Sequence, residues 1–261
     1  MAVRYEVHGA GTPALVFVHG WSCDRSYWRP QLEHFAGQSQ VVAIDLAGHG
    51  ESGVGRPSWT MPAFGEDVVA VVEKLGLPKL VLIGHSMGGD VIVEAALRLP
   101  GRVLGLVWAD VYRTLGEPTS PEELEKFVAP FREDFVTATR TFVGRMFGAE
   151  SDPALVERVV RGMSSAPPDI ALDAMKHAMG NDGDVLDGLR RLKAPVVAIN
   201  PDHPPTDIEA LARHGVKTVI LPGVGHFGML EDPGTFNRLL GETIEVFAGA
   251  SRSGRGGGAP A

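Results

Sequence analysis

The chain has one cysteine, Cys23, in 261 residues. A disulfide within the chain is therefore excluded, and the composition suits a reducing compartment. It also lacks any run of roughly 18 apolar residues, the length that spans a bilayer. The opening stretch MAVRYEVHGAG has no long apolar core of the secretory type, so a cytoplasmic protein is expected. Basic runs and basic–aromatic interleaving are missing too. With 24 basic and 32 acidic residues the net charge is -8. That balance argues against nucleic acid or an anionic membrane as partner. No Walker, Rossmann or metal-ligand spacing occurs, and GHSMGG has too few correctly spaced glycines for a dinucleotide loop. Neither a metal nor another cofactor is expected, and no internal repeat is found.

What is present is an alternation of short apolar runs with longer amphipathic segments. Ala14–Val18, Val41–Leu46, Leu80–Ile83, Val103–Trp108, Val196–Ile199 and Thr218–Leu221 are β-branched and bounded by Gly, Pro or Asp. They are predicted as buried parallel strands, with Tyr5–His8 as an edge strand. Helices are predicted over Glu66–Leu75, over Met87–Leu99, after a Thr206/Glu209 capping box, and from Asp232-Pro233 to about Phe247. This order implies an α/β fold with a mainly parallel sheet.

The alternation stops over residues 112–190, where no strand pattern appears. Ser120-Pro121-Glu122-Glu123 has the form of a capping box, and Asp152-Pro153 and the segment from Asp169 to Met179 open further helices. Phe131, Phe135, Phe142 and Met146 fall on one helical face. Phe135, Phe142 and Met146 are expected either to pack on the sheet domain or to line an apolar pocket. The expected division is a core of 1–111 and 191–248, a helical insertion of 112–190 after the sixth core strand, and a disordered tail of 249–261.

Chemistry centres on LVLIGHSMGGD, residues 80–90. An apolar strand runs into Gly84-His85-Ser86-Met87-Gly88 and then into a helix. This is the context a G-x-S-x-G elbow needs, because the sharp turn tolerates only small neighbours and projects the serine hydroxyl. His226, in the Gly-flanked loop after the last strand, is the expected base. The acid should lie at a strand end between the two. Asp202, after the penultimate strand, is the expected choice, and Asp110, after Val103–Trp108, is the alternative. Asp207 is explained as a first-turn helix residue. The oxyanion donors are expected to be the backbone N–H groups of Met87 and of Trp21, the latter in HGWSCD. The Trp21 side chain either walls the acyl site or packs in the core. Cys23 has no evident activating neighbour and is expected to be a bystander.

These motifs together resemble the α/β-hydrolase superfamily. FVHGW, AIDLAGHGES, LIGHSMGG and GVGHFGMLEDP occur in its order, across about residues 3 to 248. The resemblance implies an eight-stranded sheet with one antiparallel strand and helices on both faces, and a helical cap after the sixth strand. It also implies that Ser86 is the nucleophile and His226 the base, with Asp45 and His49 structural. The segment INPDHPPTD departs from the family's G-x-x-D at the penultimate strand.

A serine at the elbow points to acyl transfer through an acyl-enzyme. The expected activity is hydrolysis of a carboxylic ester with a small or medium apolar acyl group. The alternatives are a C–C bond hydrolase of meta-cleavage type, a cofactor-free perhydrolase or haloperoxidase, and a ligand receptor on the same fold. The expected partner is a small acyl substrate, with the protein a monomer or a homodimer.

Overall fold

The computed structural model describes residues 1–116, 119–148 and 150–253. Seven strands form one sheet: β1 (Arg4–His8), β2 (Ala14–Val18), β3 (Val41–Asp45), β4 (Leu80–His85), β5 (Val103–Ala109), β6 (Val196–Pro201) and β7 (Val216–Leu221). Their order is β1-β3-β2-β4-β5-β6-β7. β1 pairs antiparallel with β3, and every other pairing is parallel. β2, β3, β4 and β6 are buried at every position, which explains their near-continuous apolar sequences.

Two expectations need correction. The sheet has seven strands among the described residues, not eight, and the insertion follows the fifth strand, not the sixth. A single N-terminal strand, β1, precedes β2, and it forms the sheet edge with half-exposed residues.

Helices α1 (Arg29–Phe35), α2 (Met61–Lys74) and α3 (Met87–Arg98) connect the first strands. Between β5 and β6 come α4 (Pro121–Glu133), α5 (Phe135–Gly144), α6 (Pro153–Ser164), α7 (Pro168–Met179) and α8 (Asp182–Arg191). The chain ends with α9 (Ile208–Arg213), the short α10 (Gly228–Glu231) and α11 (Pro233–Ser253). The described part of the expected tail, 249–253, thus continues α11, and 254–261 lie outside the described residues. Strand β5 shows how the layers form. A Cβ on its Gly105 would meet the Phe247 ring of α11, whereas its Trp108 donates from Nε1 to Gly89 O of α3 at 3.2 Å. An odd separation along a strand puts α11 and α3 on opposite faces.

Helix ends follow local chemistry. Ser120 and Glu123 form the full capping box at α4, and Asp152 caps α6. The box expected at Thr206 is absent. Asp207 caps α9 instead, accepting from Ala210 N at 2.8 Å, while the Thr206 hydroxyl accepts from Asn200. Among the described residues, no helix is long and apolar enough to cross a membrane.

Candidate active site

Strand β4 delivers Ser86 to the start of α3 with φ 51° and ψ -126°. A non-glycine residue held there costs roughly 1–3 kcal/mol, which packing must impose. The imposition is visible. Ser86 N donates to Ala109 O at 3.2 Å, and Ser86 O accepts from Gly89 N at 2.8 Å. A Cβ on Gly88 would fall 2.6 Å from both Val18 O and His19 O, so the first turn of α3 sits directly on the end of β2. The loop after β2 comes equally close: a Cβ on Gly20 would lie 3.1 Å from the Ser86 Cβ. The backbone of the next residue, Trp21, is thereby brought beside the serine. Met87 opens α3, so its N–H has no acceptor within the helix.

His226 leaves the turn after β7 and lines the same cavity as Ser86. Both residues are half-buried, open enough to meet a small molecule. The backbone of His226 is held on both sides. Its N–H donates to Met146 O at 2.6 Å, and its carbonyl accepts from His85 Nε2 at 2.9 Å. Burial, with the nearby His226 ring, lowers the His85 pKa to about 3, so His85 is a neutral strut.

The acid expectation is corrected by the geometry. His226 Nδ1 lies 2.7 Å from Asp110 Oδ2, whereas Asp202 is exposed and accepts from Gly223 N at 3.0 Å. Asp202 thus fastens the turn beyond β7 and does not reach the imidazole. Asp110 succeeds because β5 is the immediate neighbour of β4, and because its own φ of 47° turns the chain sharply at the strand end. Burial alone would raise the Asp110 pKa. The hydrogen bond from His226, aided by Arg113 at 3.0 Å, outweighs burial and lowers it. An ionised Asp110 can only accept, so the shared proton sits on His226 Nδ1, and in the neutral tautomer of that kind Nε2 carries the lone pair.

The cavity measures about 390 Å³. Trp21, Phe142 and Met146 line it, as one of the two sequence expectations had it, but Phe135 does not. Phe135 stands behind Trp21, with ring centroids 6.1 Å apart, because Asp134 ends α4 and caps α5, breaking the single helical face. The Trp21 side chain has two sets of contacts. It lines the cavity, and it packs on Phe131 and Phe142 while Nε1 donates to Ala171 O of α7 at 2.7 Å. Cys23 also lines the cavity, but burial pushes its thiol pKa far up, so it stays protonated. Asp45 is fully buried and ties loops together through Arg25 N and Glu51 N; burial holds His49 neutral, with a pKa of about 3.

Sequence reasoning missed Met163, Met175, Met179, Phe127, Tyr112 and Asp90 as cavity residues. Met175 and Met179 carried a signal, being one helical turn apart in α7. Asp90 sits one turn beyond Ser86 in α3, buried, and accepts from the Tyr112 hydroxyl at 2.9 Å.

Residues 15–239 match the alpha/beta hydrolase family. The chain belongs to the alpha/beta hydrolase family. Among curated relatives of this hydrolase, 3-oxoadipate enol-lactonase 2 of Acinetobacter baylyi is 26% identical, over 95% of this chain and 94% of that one. The dihydrolipoyllysine-residue acetyltransferase component of the acetoin cleaving system of Pseudomonas putida is 34% identical over 154 residues. That match takes in 59% of this hydrolase and 40% of the length of the relative. Among solved structures, a thermophilic esterase from Thermogutta terrifontis superposes with a TM-score of 0.81 at 28% identity, covering 94% of this chain and 93% of the esterase.

Proposed function

We propose that this hydrolase cleaves an uncharged carboxylic ester or lactone through an acyl-enzyme on Ser86, with His226 as base and Asp110 as the acid that orients it. The observation that carries the reading is the 2.7 Å bond between Asp110 and His226 Nδ1, beside a cavity shared by His226 and the strained Ser86. The Ser86 hydroxyl attacks the carbonyl carbon while His226 Nε2 takes its proton. The N–H groups of Met87 and Trp21 receive the developing oxyanion. The protonated imidazole then delivers that proton to the leaving alkoxide, and the carbon–oxygen bond breaks. Water repeats the sequence in the second half, giving the carboxylic acid and restoring the serine. The esterase and lactonase likenesses of the chain support this class of substrate.

Helices α4 to α8 serve as the cap in this reading. Of these, α4 to α7 supply Phe127, Phe142, Met163, Met175 and Met179 to the cavity wall, which favours an apolar acyl group. The described wall contains Asp90 but no lysine or arginine. That charge balance disfavours a carboxylate-bearing substrate, and with it the C–C bond hydrolase alternative.

A fluorophosphonate probe with mass mapping tests the proposal, together with a panel of aryl esters. Labelling at Ser86 and turnover of neutral esters are expected. Labelling elsewhere, or a labelled protein without turnover, would overturn the enzyme reading and favour a receptor.

A further inference from the structure

The loop that carries His226 is organised around a carboxylate that the acyl-transfer steps do not use. Glu231 ends α10, five residues beyond the histidine. Its Oε1 accepts from Phe227 N at 3.1 Å and from Gly225 N at 3.1 Å. Its Oε2 accepts from Gly225 N at 3.0 Å, from Gly148 N at 3.1 Å and from the Ser151 hydroxyl. One side chain therefore gathers the N–H groups on both sides of His226 and two donors from the segment between α5 and α6.

The partners from that segment give the arrangement its meaning. Met146 O accepts the N–H of His226 itself, and a Cβ on Gly225 would lie 2.2 Å from that same oxygen and 2.6 Å from Gly148 N. The histidine loop and residues 146–148 are thus in direct backbone contact, with the Glu231 carboxylate as an acceptor that the loop shares with Gly148 and Ser151. A turn placed by its surroundings in this way cannot shift on one side without shifting on the other. An imidazole displaced by about 1 Å loses much of its effect as a base.

We propose that Glu231 is a positioning residue for His226, joining the histidine loop to the insertion so that seating the insertion aligns the base. The proposal rests on the reading of His226 as the base. It predicts that Glu231 acts on the chemical steps without touching substrate. Glu231 lines a groove distinct from the Ser86 cavity, together with Ser151 and Gly223.

The test uses the whole protein with Glu231→Gln, which keeps the shape but removes one acceptor oxygen, and with Ser151→Ala, which removes only a donor from the insertion. Turnover is expressed per Ser86 labelled by the phosphonate, so unfolded molecules drop out. Glu231→Gln is expected to lower kcat per site by roughly 10- to 100-fold with KM little changed. It is also expected to shift or broaden the downfield proton resonance of the His226–Asp110 hydrogen bond. Ser151→Ala should give a smaller loss of the same kind, and little more when added to Glu231→Gln, because both act through one link. Per-site kcat within about twofold of wild type, with the resonance unmoved, would overturn the proposal and leave Glu231 as a stabiliser of the fold. If Glu231→Gln does not fold, an unchanged per-site kcat in Ser151→Ala overturns it equally. A wild-type protein that is not labelled at Ser86 defeats the acyl-enzyme reading instead, before either variant is compared.

Discussion

Asp110 and His226 meet across 116 residues of chain, Oδ2 to Nδ1 at 2.7 Å, on the rim of the sheet where β5 ends. Between them in sequence lies the whole helical insertion. Asp110→Asn should therefore lower ester turnover by roughly 10²- to 10⁴-fold, since an amide no longer selects the Nδ1–H tautomer. Asp202→Asn should change turnover little, because among the described residues its carboxylate accepts from Gly223 N and not from His226. Steady-state kinetics on both variants checks the ranking, and the reverse order would return Asp202 to the triad.

Ser86→Ala should abolish phosphonate labelling and cut turnover by roughly 10³-fold or more, and His226→Ala should cut it comparably. The double variant should lose little beyond either single one. Losses that multiply would mean that the two side chains serve separate steps.

Phe142 and Phe135 provide a paired test of the cavity. Phe142 lines it, and Phe135 supports Trp21 from behind. Phe142→Leu should shift the preferred acyl length towards longer chains. Phe135→Leu should lower the unfolding free energy by about 1 kcal/mol while leaving the order of preference among esters intact. Identical shifts in preference from both would show that the wall extends behind Trp21.

Asp90 is the carboxylate in the described cavity wall. Esters ending in a carboxylate should react more slowly than methyl-ended esters of equal length, and Asp90→Asn should narrow that gap by about 10-fold. A gap that stays constant would mean that Asp90 is neutral or out of the substrate's reach.

Acid should destabilise the fold in a defined window. Burial lowers the pKa of His19 to about 4 and those of His49 and His85 to about 3. Unfolded imidazoles take protons near pH 6.5, so between about pH 6.5 and 3 the unfolded state binds more protons. Stability is thus full above about pH 6.5 and declines as the pH falls through that window, at up to ~1.4 kcal/mol per pH unit for each histidine. The lowered pKa of Asp110 acts in the same direction, its contribution being lost as the pH falls through that folded value. Urea unfolding at pH 7, 6 and 5 measures the slope, and a flat profile would mean that these rings are charged in the folded state.

The sheet was legible because each inner strand is apolar over most of its length, a pattern that burial on both faces demands. The elbow was legible because the strand, the small residues and the helix stand in one unbroken stretch. The acid was not. Asp110 and Asp202 each follow a β-rich run, and local sequence does not encode which strand end faces a loop 24 or more residues away. Their backbones decide it: Asp110 takes a positive φ, while Asp202 reaches the neighbouring turn. The helical face drawn through Phe131, Phe135 and Phe142 failed at Asp134, whose carboxylate accepts from Thr137 N and starts a new helix. The Glu231 contacts depend on a segment some 80 residues earlier, and no periodicity marks them.

Five of the eight methionines, Met87, Met146, Met163, Met175 and Met179, line the cavity that holds Ser86. Their thioethers adapt readily to differently shaped acyl chains, but they are also reductants. Were hydrogen peroxide to replace water in the second half of the reaction, the peracid released would meet sulfur before it met solvent. Each sulfoxide formed would turn an apolar wall polar. Repeated perhydrolysis would therefore erode the chamber that performs it, whereas turnover with water leaves it unchanged.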